Sequence, residues 1–104
     1  SSNFLKMQKY LKFNTTAGVH NVPVGSGLFA DKVDATETRL YNQNAFLYHY
    51  KLVTTGSNAD TAVLLVNINT ALERASATTW QNSEVEVQIP SGVAVSSIAL
   101  TAFS

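Results

Sequence analysis

Apolar and polar positions alternate from Met7 to Phe13: Met7, Lys9, Leu11 and Phe13 fall on one side, Gln8, Tyr10 and Lys12 on the other. A period of two predicts a half-buried β-strand. Lys6, Lys9 and Lys12 also fit the wet face of a short helix. The β-favouring Tyr10 and Phe13, and the turn residues of Asn14–Gly18 behind them, decide for the strand. A second strand follows over Val19–Val24, and Pro23, which has no N–H for a ladder, marks it as an edge or as ending there. Gly25–Gly27 reads as a turn. Leu28–Tyr41 reads as one or two strands, with Glu37, Arg39 and Tyr41 alternating against Thr36, Thr38 and Leu40. After the break at Tyr41–Ala45, "FLYHYKLVTT" gives the clearest strand of all. It sets Phe46, Tyr48, Tyr50 and Leu52 on one face and Leu47, His49, Lys51 and Val53 on the other.

Beyond "GSNAD" the period changes. Leu64, Leu65, Ile68, Ala71, Leu72 and Ala75 recur every three or four residues, one apolar stripe of a helix over about Thr61 to Ala77. Asn58 or Asp60 is the expected N-cap, since a short polar side chain there accepts from the free N–H groups of the first turn. A strand over "AVLLVNIN" competes on β-propensity, but the alanines and the "TALERA" continuation favour the helix. Trp80 is expected to anchor the helix end on the sheet. In the tail, Val85, Val87 and Ile89 alternate with Glu84, Glu86 and Gln88, and Ser91–Gly92 turns the chain into "VAVSSIALTAF", apolar on both faces in its second half. Such a strand is central or pairs with another subunit. The pattern predicts one α+β domain, 1–104: a mainly antiparallel sheet of about five to six strands with a single helix packed on one face.

Composition narrows the partners. Charged residues make up 13% of the 104 positions, and ten serines, eleven threonines and nine asparagines fill the polar surface. That surface is polar but mostly uncharged. Seven basic and seven acidic side chains cancel. A neutral chain lacks the positive field that holds phosphates, so no nucleic-acid partner is expected. It also lacks the self-repulsion that keeps small proteins apart, so association is easier. No apolar run approaches the ~20 residues of a membrane span, so no membrane partner is expected. The start, "SSNFLKMQKY", has neither the long apolar core nor the cleavage site of a signal peptide. Without cysteine there are no disulfides and no thiolate chemistry.

Candidate chemistry is sparse. "FLYHYK" gathers three aromatics and one of two histidines, yet the pleat puts His49 on the face opposite Tyr48 and Tyr50. The structural reading is an aromatic face on the helix, with His49 and Lys51 nearer solvent. The functional reading is an interaction surface of Tyr48, Tyr50, His49 and Trp80, because tyrosine is enriched at interfaces. His20 and His49 with Asp31, Asp34 or Glu37 lack the spacing of a metal site, so no metal or cofactor is expected. "DKVDATE" has no calcium-loop pattern. "GSG" is not followed by Lys-Ser/Thr, and no serine sits in a Gly-x-Ser-x-Gly elbow. No catalytic residue is expected, and the chain reads as non-enzymatic.

"YLKFNTTAGVHNVPV", a helix ending in "TTWQN", and "VEVQIPSGVAVSSIAL" together resemble small proteins of marine tailed phages, cyanophages among them. The matching features are a strand and Val-Pro-Val-like second strand, one helix closing near a Trp, and a Pro before a strand ending Ser-Ile-Ala. Leu28–Tyr41 departs from that pattern. The resemblance implies a virus-encoded protein of unassigned or virion-structural role, in the latter case a head or tail piece assembled in the bacterial cytoplasm beside other virion proteins, and carries over no catalytic residue. The expected function is therefore a non-enzymatic structural or assembly protein, a small homo-oligomeric component of a phage particle. The alternatives are a ligand- or protein-binding module with a pocket near Tyr48, Tyr50 and Trp80, or a small enzyme using His49 or His20 as base.

Overall fold

A computed structural model describes residues 9–24, 28–42, 45–77 and 84–102 of the chain. The elements are β1 (Lys9–Thr15), β2 (Gly18–Val24), β3 (Leu28–Asp34), β4 (Glu37–Asn42), β5 (Ala45–Thr55), α1 (Asn58–Ala77), β6 (Glu84–Glu86) and β7 (Ala94–Ala102). The class is α+β, one helix with mostly antiparallel strands. Among the described residues the strands number seven and divide between two sheets, ordered β2-β1-β6 and β3-β4-β5-β7. Of the pairs among the described residues, only β1–β6 runs parallel. Met7, the Gly25–Gly27 turn and Trp80, with its expected anchoring role, lie outside the described residues.

Local turn chemistry builds the hairpins. β1 and β2 pair from Lys9↔Val24 to Thr15↔Gly18, so Thr16 and Ala17 form the connection. Gly18 sits at φ 119°, a region side chains other than glycine rarely adopt. β3 and β4 close around Ala35 and Thr36, with Asp34 opposite Glu37. There the Asp34 carboxylate accepts from the Thr36 N–H at 2.8 Å and from its hydroxyl at 2.9 Å. The N–H bond is the larger cause holding the Asp34 carboxyl below its usual range, with the hydroxyl second.

The helix stripe packs between the sheets. Leu64, Ile68, Ala71 and Ala75 are buried, and Leu65 and Leu72 are half-buried at its margins. They meet Leu11, Phe13, Val22, Val85 and Val87 from the smaller sheet, and Leu40, Leu52, Val95 and Ile98 from the larger. Each fully buried side chain of this size contributes about 1.5–3 kcal/mol relative to exposure. Polar ties fix the layers. The Thr61 and Thr54 hydroxyls both donate to the Ala35 carbonyl, at 2.8 and 3.1 Å, joining the helix start and β5 to the β3–β4 turn. At the other end Lys9 Nζ donates to the Ala75 carbonyl at 2.9 Å, a cation where the helix dipole favours one. This accounts for a lysine on the apolar side of β1.

The helix begins three residues earlier than the stripe indicates, and its cap is Ser57 rather than Asn58 or Asp60. The Asp60 N–H donates to Ser57 Oγ at 3.2 Å, and the Thr61 N–H to the Ser57 carbonyl at 2.9 Å. Asn58 and Asp60 lie inside the first turn, where Asp60 still favours the dipole. Just before the cap, Gly56 (φ 136°) passes so close to the β6–β7 connection that a Cβ there would lie 2.8 Å from the Gly92 carbonyl oxygen.

Candidate functional site

β5 is the second strand in from β7, and its pleat divides the larger sheet into an inner, helix-facing side and an outer side. Tyr50 and Leu52 face in, with Tyr50 half-buried against the core and Leu52 fully buried. His49, Lys51 and Val53 face out, as the alternation predicts. The register sets a row across the outer side: Phe29 opposes Tyr41, Tyr41 opposes His49, and His49 opposes Thr101. The Phe29 and Tyr41 rings stack with centroids 5.3 Å apart, and Tyr41 and His49 lie tilted at 5.8 Å. Beside this row Arg39 bonds Glu37 at 2.5 Å, and Lys51 lies 4.0 Å from the same carboxylate.

His49 corrects one expectation. It is not nearer solvent: only 4% of it is exposed. Its neighbours on β4 and β7, Tyr41 and Thr101, stand against it, so a residue on the outer side is still dry. That burial is the first cause holding the imidazole pKa below its usual value. The Arg39 charge adds to the effect, Glu37 opposes it, and Lys51 adds a smaller share. The Arg39 guanidinium is held above its ordinary range chiefly by its hydrogen bond to Glu37, then by one to Tyr41. Positive charge around the ring favours a neutral imidazole. Two cations, Arg39 and Lys51, share the one carboxylate of Glu37, so the cluster keeps a net positive charge.

Of the four residues of the expected surface, the two tyrosines lie on one side of the sheet and His49 on the other. Tyr48 is 49% exposed near one end of the sheet, Tyr50 belongs to the core margin, and His49 lies on the opposite side. Trp80 lies outside the described residues. The structure brings Leu100 near the tyrosines. β7 pairs Tyr48 with Ala102 and Tyr50 with Leu100, and Leu100 is 60% exposed on the inner side. The sequence reading missed Phe29, Tyr41 and Leu100. Counting back from the two-residue turn at Ala35–Thr36 would set Phe29 against Asn42; the register shift between Lys32 and Asp34 brings it opposite Tyr41, and no local pattern announces that shift.

β7 is an edge strand, with β5 on one side. At its start the Val95 carbonyl accepts from the Thr16 N–H at 2.9 Å, the point where the two sheets touch. Beyond that, among the described residues, no strand lies against its second side.

His20 and His49 sit in different sheets, and no group of three His, Asp or Glu side chains that would hold a metal occurs among the described residues. A shallow depression between α1 and the β6 segment is lined by Asn67, Thr70, Ala71, Arg74, Glu86 and Gln88, and by neither tyrosine. Among the described residues no helix is long and apolar enough to cross a membrane. Compared with family models, curated proteins and solved structures, the chain matches none.

Proposed function

We propose that the protein is a non-enzymatic assembly subunit that works by presenting surface, and that its setting is a phage particle. The observation that carries the assembly reading is the distribution of exposed apolar side chains. Phe29 is exposed on the outer side of the larger sheet, and Tyr48 and Leu100 on its inner side, at the uncovered β7 end. Tyr48 and Leu100 are diagonal neighbours on one side of the sheet, and adjoining exposed apolar groups of this kind mark contact surface. The chain's zero net charge sets no field against like molecules meeting. The resemblance of its strand, helix and Ser-Ile-Ala segments to small marine phage proteins supports the virion setting.

Analytical ultracentrifugation at micromolar concentration tests the assembly half. A species heavier than one 11.2 kDa chain is expected, and a lone monomer peak at all concentrations would contradict it. Mass spectrometry of purified particles tests the setting. Its peptides are expected at stoichiometric levels, and their absence would remove the virion claim.

A further inference from the structure

Among the described residues the fold leaves four strand edges, and three of them are protected. β2 carries Pro23, which cannot donate to an added strand. β3 carries Asp31, Lys32 and Asp34 and a register irregularity between Lys32 and Asp34. β6 is three residues long with Glu84 and Glu86 at its ends. Charges, proline, bulges and shortness are the devices that stop edge strands from pairing with other chains. β7 has none of them over Ser97–Ala102: no charge, no proline, and its one irregularity, opposite Val53/Thr54, comes earlier.

We infer that β7 pairs antiparallel with β7 of a second copy, on a two-fold axis at Leu100, giving one continuous eight-stranded sheet. This rests on the assembly reading above and names its partner and contact. The argument for a second copy is self-complementarity. With Leu100 opposite Leu100, Ile98 opposes Ala102 and Ala99 opposes Thr101 of the other copy. The inner side then reads Leu40, Tyr50, Leu100 of one copy, followed by Leu100, Tyr50, Leu40 of the other. The neighbouring row runs from Tyr48 and Ala102 into Ile98 and Leu52 of the second copy. The two exposed side chains, Leu100 and Tyr48, thus fall into apolar rows that continue through the joint. On the outer side only Ser97, Ala99 and Thr101 line the seam, so nothing bulky or charged obstructs it. Such an interface is isologous and closes at two subunits.

The chain has no cysteine, so Leu100→Cys introduces a single thiol. Directly opposed residues in an antiparallel pair have Cα atoms about 4.5–5.5 Å apart, within disulfide reach. Copper-phenanthroline in air, the oxidant accepting the two thiol electrons, is expected to convert most of the Leu100→Cys protein to a covalent dimer. Phe29→Cys, also at an exposed position (43% against 60% for Leu100) but on the opposite edge, is expected to stay largely monomeric on a denaturing gel. Circular dichroism of both variants, matched to the parent, verifies the fold. If the parent sediments as an oligomer while Leu100→Cys does not cross-link, the β7 pairing is wrong and the assembly reading stands. If Phe29→Cys cross-links as well as Leu100→Cys, the selection of β7 is overturned. A parent that is monomeric throughout overturns both.

Discussion

Three threonines of similar burial should respond differently to loss of a hydroxyl. Thr61 donates to the Ala35 carbonyl, and Thr54 shares that acceptor. Thr38 is fully buried on the inner side of β4, and its hydroxyl has no hydrogen-bond partner among the described residues. A net hydrogen bond is worth about 1 kcal/mol, while an unsatisfied buried group costs about 1–3 kcal/mol. Thr61→Val is therefore expected to lower stability by about 1 kcal/mol, and Thr38→Val to raise it by about the same. Urea denaturation of both variants checks the opposite signs. His49 supplies a pH signature. Its folded-state pKa is depressed, so the unfolded chain binds more protons between that value and the ordinary 6.5. The stability this contributes is present above 6.5 and lost as pH falls through the folded-state value. Thermal melts are expected to show stability rising with pH across that window, and a flatter profile for His49→Phe. An unchanged slope would place the titration elsewhere.

At the level of elements, most of the fold was legible because the periods are strong and local. The α1 stripe, the β5 alternation and the Pro23 edge were all readable from residues within a few positions of one another. The helix start was misjudged because Ser57 precedes the apolar stripe, and a cap leaves no periodic trace. The division into two sheets was not legible at all. β1 pairs with β6 across most of the chain, Leu11 against Val85, and no local pattern states which distant strand a strand will meet. The burial of His49 was missed for the same reason, since it depends on Tyr41 and Thr101 arriving from other strands. The glycines offer a test of the close approach before α1. Gly18 and Gly56 both have positive φ, but a Cβ on Gly18 would meet nothing within 4 Å, whereas one on Gly56 would strike the Gly92 carbonyl at 2.8 Å. Both alanine variants pay backbone strain of about 1 kcal/mol. Gly56→Ala must also displace backbone, so its melting temperature is expected to fall clearly below that of Gly18→Ala. Equal losses would show that the two segments are not packed together.

For the whole molecule, the account is of two sheets clasping one helix, with the larger sheet carrying apolar side chains on both sides and one undefended edge. The extents of 48 × 32 × 22 Å describe an elongated unit, suited to contact by area. Hydrogen exchange along β7 reads the edge-to-edge pairing itself. In a paired edge, the backbone N–H groups of Ser97–Ala102 that point away from β5 gain partners. These amides are expected to become protected as protein concentration rises through the association range, while those of β2, beside Pro23, do not change. Fast exchange in β7 at every concentration, in a sample that is nonetheless oligomeric, would contradict it.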